Sequence, residues 1–152
     1  FFATLQQQYA KAPYYEEVHA LVRQVFDTPY QSIADLAIQS VKGISEYVGL
    51  STQFEVSSQQ YPETKGLGKA DRLIAIAQKK GYDTYVNPSG GKELYKKAYF
   101  SDRGVQLYFM ENTLLPYSQF KESSVIGLSM IDVLMFNHIE EVHKLVTNYT
   151  LQ

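Results

Sequence analysis

The segment from Thr64 to Arg72 has the composition of an anion-binding loop. It contains two glycines together with Lys65, Lys69 and Arg72, and it leads into a predicted helix. Glycines let the backbone approach a ligand, the N-terminus of a helix attracts anions, and the planar guanidinium group can donate two hydrogen bonds to a phosphate. The spacing matches neither a Walker A loop nor a GxGxxG motif. Two interpretations therefore stay open, a phosphate site and a surface loop with solvated lysines.

A second polar segment, residues 85–95, follows a predicted strand and contains a Gly-Gly turn. Ligands of open parallel sheets bind at the carboxyl ends of the strands. We therefore predict that the turn holds an oxyanion through its backbone N–H groups while polar side chains orient a sugar or an amide. The predicted binding residues are Asn87, Ser89, Gly90, Gly91 and Tyr95. The alternative is that Pro-Ser-Gly-Gly only makes a turn.

Two further segments carry side chains suited to hydroxyl-rich ligands or to proton transfer. Tyr117 and Gln119 follow the last predicted strand, and the alternative is a plain loop. Ser129 and Asp132 open an apolar helix, but the second glycine of a GxSxG nucleophile motif is missing. We therefore interpret Ser129 as an N-cap and Asp132 as its reciprocal partner. Asp132 is nevertheless the best acid/base candidate, because a carboxylate is unusual in so apolar a helix.

Composition excludes several classes of protein. The chain has 152 residues, no cysteine, and a net charge of -2 from 14 Lys+Arg and 16 Asp+Glu. The lack of cysteine excludes disulfide scaffolds, iron–sulfur clusters and thiol nucleophiles, and the lack of a basic surplus argues against a nucleic-acid partner. His138 and His143 lie five residues apart, which does not match the HExxH spacing, so we expect no metal site. No apolar stretch is long enough to span a bilayer, so we expect no transmembrane segment.

The elements that must position these residues are predicted from periodicity. Apolar residues at i, i+3, i+4 and i+7 predict a helix over 14–26, and Ser32 and Asp35 form a near capping box for a second helix that stops at Gly49. The remaining predicted helices are 68–80, 93–99, 129–136 and 139–148, and the predicted strands are 54–56, 82–87 and 105–110. The expected fold is α/β, with a helical N-terminal part followed by a small, mainly parallel sheet with flanking helices, in a single domain over residues 1–152.

The chain resembles the WbqC-like protein family over nearly its whole length. The residues that carry the resemblance are Tyr9 to Tyr15, Lys69 to Leu73 with Gly81, Thr84 to Asn87, Ser89 to Gly91, Leu94-Tyr95, Phe100, Gly104-Val105, Phe109, Pro116-Tyr117, Gln119 and Leu128 to Asn137. They correspond to the middle and C-terminal part of the family. We therefore expect a region upstream of this sequence, and this chain as the C-terminal portion of a longer one.

The resemblance implies a process more than a reaction. The family is bacterial and associated with surface-polysaccharide (O-antigen) production. This implies a cytoplasmic protein with a nucleotide- or lipid-linked sugar as partner, and it leaves the cofactor unspecified. The leading hypothesis is an enzyme that transfers an acyl or aminoacyl group to the sugar. Lys65, Lys69 and Arg72 would then bind phosphate, polar residues of the other segments would bind hydroxyls, and Asp132 would be the acid/base. The alternatives are a non-catalytic sugar- or nucleotide-binding module and an assembly domain, and we also expect self-association.

Overall fold

The computed structural model describes residues 1–120 and 123–152. In chain order its helices are α1 (Phe2–Tyr9), α2 (Tyr15–Asp27), α3 (Ile33–Val48), α4 (Ser57–Gln60), α5 (Lys69–Lys79), α6 (Lys97–Ser101), α7 (Met130–Phe136) and α8 (Ile139–Thr147). The strands are β1 (Thr84–Pro88), β2 (Gln106–Asn112) and β3 (Tyr149–Leu151), with short 3-10 turns at Pro62–Thr64 and Ser89–Gly91. The expected α/β class, with a helical N-terminal part and a small sheet, is confirmed.

Two compact units share these elements, and each is built from two stretches of the chain. The first unit comprises Phe1–Phe54 and Leu114–Asn148, and the second comprises Glu55–Thr113 and Tyr149–Gln152. Within the described residues, no helix is both long and apolar enough to cross a membrane.

The first unit is helical around an aliphatic core. Val18, Val48, Leu134, Met135 and Val142 are all buried in this core. Because they come from α2, α3, α7 and α8, their burial joins the N-terminal helices to those near the C-terminus of the chain.

The predicted signals at both ends of α3 are confirmed. The hydroxyl of Ser32 accepts a hydrogen bond of 3.2 Å from the backbone N–H of Asp35, and it donates one of 2.9 Å to the Asp35 carboxylate. Gly49 ends the helix at φ 79°, in the left-handed region that favours glycine. The sequence therefore determines both limits of this helix through local chemistry alone.

The second unit contains a three-stranded sheet in the order β1-β2-β3. β1 and β2 are parallel, with Thr84 opposite Gln106 and Pro88 opposite Met110, whereas β3 is antiparallel to β2. The inward side chains Leu107 and Phe109 pack with Phe100 and with residues of α5. The alternating pattern of 105–110 therefore predicted β2 and its buried face correctly.

Some predicted elements are wrong or shifted. The strand predicted over 54–56 is wrong: residues 51–56 pair with no strand of the described sheet and lead directly into α4. The helix predicted over 93–99 begins only at Lys97. The third strand of the sheet is β3, and it is antiparallel, so the sheet is mixed. The helix α1 was not predicted.

Candidate functional site around Asp132

The carboxylate of Asp132 lies in the first turn of α7, and the residue is only 6% exposed. Within residues 1–120 and 123–152, three neutral groups donate hydrogen bonds to it. The Tyr9 hydroxyl donates to Oδ2 at 2.9 Å, the Tyr117 hydroxyl donates to Oδ1 at 2.5 Å, and Gln119 Nε2 donates to Oδ1 at 2.9 Å. Oδ1 thus has two donors and Oδ2 has one, which leaves an acceptor position on Oδ2 because each carboxylate oxygen has about two lone-pair sites.

The donors come from two features of the first unit. Tyr9 is the last residue of α1, and Tyr117 and Gln119 lie in the irregular segment that begins at Leu114. The Gln119 amide is clamped to Val125: its Oε1 accepts from the backbone N–H at 2.8 Å, and its Nε2 donates to the carbonyl at 3.1 Å. This clamp fixes the orientation of the amide, so that its second N–H can donate to Asp132.

The predicted cap at the start of α7 is confirmed in position and wrong in its hydrogen bonding. Ser129 occupies the N-cap position and Asp132 lies in the first turn, but the Ser129 side chain makes no capping hydrogen bond. The Asp132 carboxylate is already bound by Tyr9, Tyr117 and Gln119. The carboxylate is therefore part of a tertiary cluster rather than the partner of a cap.

Burial and the carboxylate together change the ionisation of the two tyrosines. Desolvation, followed by the hydrogen bond to Asp132, raises the pKa of Tyr9 to about 12. The same two causes, in the same order, raise the pKa of Tyr117 to about 12. Both phenols consequently stay protonated near neutral pH and remain hydrogen-bond donors.

A cleft of about 260 Å³ opens beside this cluster, and Asp132 lines it. Its other lining residues include aromatic rings and uncharged polar side chains, namely Tyr9, Phe120, Phe136, Gln8, Gln119 and Ser123. Phe120 and Phe136 meet edge to face with their ring centroids 4.8 Å apart. We call this feature the Asp132 cleft. Rings beside amides and a carboxylate suit a small ligand that has both an apolar face and polar groups.

The structure thus brings Tyr117, Gln119 and Asp132 together, although the sequence analysis treated Tyr117 and Gln119 as one segment and Asp132 as another. The sequence analysis missed Tyr9 as a site residue. Its only signal was the place of Tyr9 in the stretch that resembles the WbqC-like family, because nothing local connects Tyr9 with a carboxylate 123 residues away.

The second predicted segment lies in the second unit, where its side chains contact one another. Asn87 is the penultimate residue of β1, and its side chain accepts a hydrogen bond from the Tyr85 hydroxyl at 3.1 Å and donates one to the Pro88 carbonyl at 2.9 Å. Ser89, Gly90 and Gly91 form a 3-10 turn, and Tyr95 packs edge to face on Phe100 at 5.9 Å. These contacts give Asn87 and Tyr95 a structural role, and ligand binding here stays a prediction.

The first predicted segment also lies in the second unit. Arg72 Nε donates to Thr64 Oγ1 at 3.1 Å, and Arg72 Nη2 donates to Ser57 Oγ at 3.2 Å. Both partners are neutral hydroxyls, and among the described residues no carboxylate forms an ion pair with Arg72. In particular, neither Asp71 nor Glu93 pairs with Arg72. The expectation that this segment follows a strand is wrong, since residues 51–56 form none.

Metal ligation finds no support in the described part of the chain, where no group of three or more His, Asp and Glu side chains could hold an ion. The arrangement of the Asp132 cleft, a buried carboxylate with neutral donors and aromatic rings, instead suits hydrogen bonding and proton transfer.

Comparison with known proteins places the chain in a family. No curated protein and no solved structure matches it. Residues 1–144 match the WbqC-like protein family, which is all but the last eight residues and includes every residue of the Asp132 cleft. The chain belongs to the WbqC-like protein family.

Proposed function

We propose that this protein acts on a nucleotide- or lipid-linked sugar in bacterial surface-polysaccharide (O-antigen) production, with the sugar bound in the Asp132 cleft. The observation that carries the proposal is the buried Asp132 carboxylate, held by Tyr9, Tyr117 and Gln119 at the wall of a cleft lined by aromatic rings. Sugars offer hydroxyl groups to carboxylates and amides, and they offer C–H faces to aromatic rings. The association of the family with O-antigen production supports the choice of process.

The proposed reaction is transfer of an acyl or aminoacyl group from an activated donor, such as a thioester or an acyl phosphate. A hydroxyl or amino group of the sugar attacks the acyl carbon, and its proton passes to Asp132 Oδ2, the oxygen with one donor. The bond between the acyl carbon and the leaving group breaks, and the leaving group takes the electron pair. Tyr117 and Gln119 donate hydrogen bonds to Oδ1 and so orient the carboxylate, which leaves Oδ2 to accept the proton.

A separate phosphate-binding site is proposed within the second unit, at Lys65, Lys69 and Arg72. The support is that, among the described residues, the Arg72 guanidinium donates to two neutral hydroxyls and forms no ion pair, so that its charge can pair with an anion. A matched pair of variants tests this part. Arg72→Lys keeps the charge and loses the planar fork, so we expect it to weaken binding of a nucleotide sugar, whereas Arg103→Lys, whose guanidinium lies over the Tyr99 ring, should leave binding unchanged.

A non-catalytic module that binds sugar or nucleotide, or an assembly domain, would use the same cleft differently. Binding without turnover would favour the module, and a stable oligomer that binds neither ligand would favour the assembly domain. The carboxylate is compatible with either use, since it can accept hydrogen bonds from a bound sugar, but acyl transfer needs a proton acceptor and Asp132 supplies one.

The deciding experiment compares Asp132→Asn with Glu141→Gln. Both changes replace a carboxylate by its amide in the first unit, but Glu141 is a surface residue paired with Lys144. Nucleotide sugars and acyl donors are incubated with each variant, products are followed by mass spectrometry, and folding is checked by circular dichroism. We expect turnover to fall about 100-fold or more in Asp132→Asn, as for loss of a general base, and to persist in Glu141→Gln. Equal turnover in the two folded variants would remove Asp132 from the reaction.

A further inference from the structure

The Asp132 cleft carries one negative charge among its described lining residues. Asp132 is the only charged side chain of that lining, and its three hydrogen-bond donors, Tyr9, Tyr117 and Gln119, are all neutral. No described lysine or arginine pairs with it. Among the residues that the structure describes, the carboxylate thus has hydrogen bonds but no counter-charge.

A buried carboxylate without a counter-charge selects the charge of its ligand. Removing a carboxylate from water is costly, and neutral hydrogen bonds compensate only in part, so that a cation that reaches it gains more than a neutral group does. A phosphate or carboxylate in the cleft would be repelled instead. The two phenols cannot change this balance near neutral pH, because both keep their protons.

The aromatic walls favour the same sign of charge. The rings of Tyr9, Phe120 and Phe136 line the cleft, and a cation over the face of an aromatic ring is attracted by the electron-rich π-system. An ammonium group also has three N–H donors, of which one can take the acceptor position on Asp132 Oδ2. The carboxylate, the rings and the lack of described basic lining residues are three separate observations, and all of them point to a cation.

We propose that the sugar group that meets Asp132 is a free amino group in its ammonium form, so that the cleft takes an amino sugar in preference to a neutral or N-acylated one. This inference rests on the proposed function, in which the cleft holds a sugar. It makes the substrate the amine before acylation: the ammonium gives one proton to Asp132 Oδ2 and becomes the nucleophilic amine, and the second proton passes to the leaving group as the amide bond forms. It also predicts that the N-acylated product leaves readily, because the product has lost its charge.

Glucosamine, glucose and N-acetylglucosamine are suitable probes. They share a ring and differ in the substituent at one carbon, which is charged in glucosamine alone. Each is titrated into the wild-type protein at neutral pH by nuclear magnetic resonance, with the side-chain amide signals of Gln119 reporting binding at the cleft. We expect glucosamine to bind at least tenfold more tightly than N-acetylglucosamine, and we expect its binding to weaken with added salt.

The outcomes separate the two proposals. Binding of glucose or N-acetylglucosamine as tight as that of glucosamine would overturn the ammonium inference and leave the sugar site intact. Failure of all three sugars to shift the Gln119 signals would overturn both. The variant Asp132→Asn adds a second readout, because loss of the preference for glucosamine, with Glu141→Gln keeping it, would assign the preference to this carboxylate.

Discussion

The Tyr9 hydroxyl donates a hydrogen bond of 2.9 Å to Asp132 Oδ2 across 123 residues of sequence. It joins the end of α1 to the first turn of α7, and it is the one donor to this oxygen among the described residues. Loss of this hydroxyl would leave Oδ2 of a buried carboxylate without a partner. The bond therefore connects the stability of the first unit to the chemistry of the Asp132 cleft.

Tyr9→Phe should destabilise the protein by about 1–3 kcal/mol, because a hydrogen bond to a buried charged group is lost while the ring stays in place. The midpoint of urea denaturation, followed by circular dichroism, measures the effect. Tyr30→Phe is the control, since Tyr30 is 46% exposed, and it should change the midpoint little. Equal midpoints for the two variants would show that the Tyr9 hydrogen bond contributes nothing to stability.

Stability should fall as the pH rises from about 10 to about 12. The folded chain holds the protons of Tyr9 and Tyr117 up to a pKa of about 12, whereas the ordinary value is 10.0. The folded state thus binds more protons than the unfolded state in this range, so that its advantage is complete below pH 10 and is lost toward pH 12. Urea midpoints measured across this range should decline less steeply in Tyr117→Phe than in the wild type, and an unchanged slope would contradict the assignment.

Ser32→Ala and Ser129→Ala should differ although both serines occupy N-cap positions. The Ser32 hydroxyl accepts from Asp35, so its loss should cost about 1 kcal/mol. The Ser129 hydroxyl makes no capping hydrogen bond, so its loss should cost less than about 0.5 kcal/mol. Denaturation midpoints of the two variants measure these losses in the free energy of unfolding. A loss for Ser129→Ala as large as that for Ser32→Ala would show that the Ser129 hydroxyl does make a capping hydrogen bond.

Self-association should involve the outward face of the sheet in the second unit. Val86 lies opposite Tyr108, Met110 lies opposite Leu151, and both Val86 and Leu151 are exposed. Exposed apolar faces of this kind favour burial against a partner. Sedimentation should show association that grows with concentration and weakens in Val86→Thr/Leu151→Thr. A monomer at high concentration would contradict the expectation.

Local signals predicted the elements, and tertiary contacts account for what they missed. The cap of α3 joins Ser32 to Asp35, and the alternation of β2 runs over consecutive residues. Each signal is therefore local, and the sequence displays it. The strand β3 has three exposed residues and exists through pairing with residues 110–112, which no local pattern reveals. Glu55 shows the converse. Residues 54–56 have a short strand-like pattern but form no strand, and the Glu55 side chain binds Tyr61 and Lys80.

The site divides in the same way. Residue type alone pointed to Tyr117 and Gln119 as side chains suited to a hydroxyl-rich ligand and to Asp132 as an acid/base candidate. Their convergence could not be predicted, because it depends on the clamp between Gln119 and Val125 and on the direction of the first turn of α7. The spacing of Ser129 and Asp132 displays a possible helix cap, whereas nothing in the sequence displays the distant partners that the Asp132 carboxylate binds instead.

Gly91→Ala should destabilise the second unit, whereas Gly90→Ala should not. A methyl group at Gly91 would overlap the Asn87 amide and approach Tyr95 Cδ2 to 3.3 Å, and the amide is held in place by Tyr85 and Pro88. A methyl group at Gly90 would meet nothing within 4 Å.

We expect the free energy of unfolding to fall by about 1–3 kcal/mol in Gly91→Ala. In Gly90→Ala we expect it to rise by a few tenths of a kcal/mol, because alanine restricts the conformations of the unfolded chain. Denaturation midpoints test the pair, and Asn87→Ala added to Gly91→Ala should recover part of the loss by making room for the methyl group. Equal midpoints for the two glycine variants would show that the Asn87 amide moves aside without cost, and the turn would then be free to change shape around a ligand.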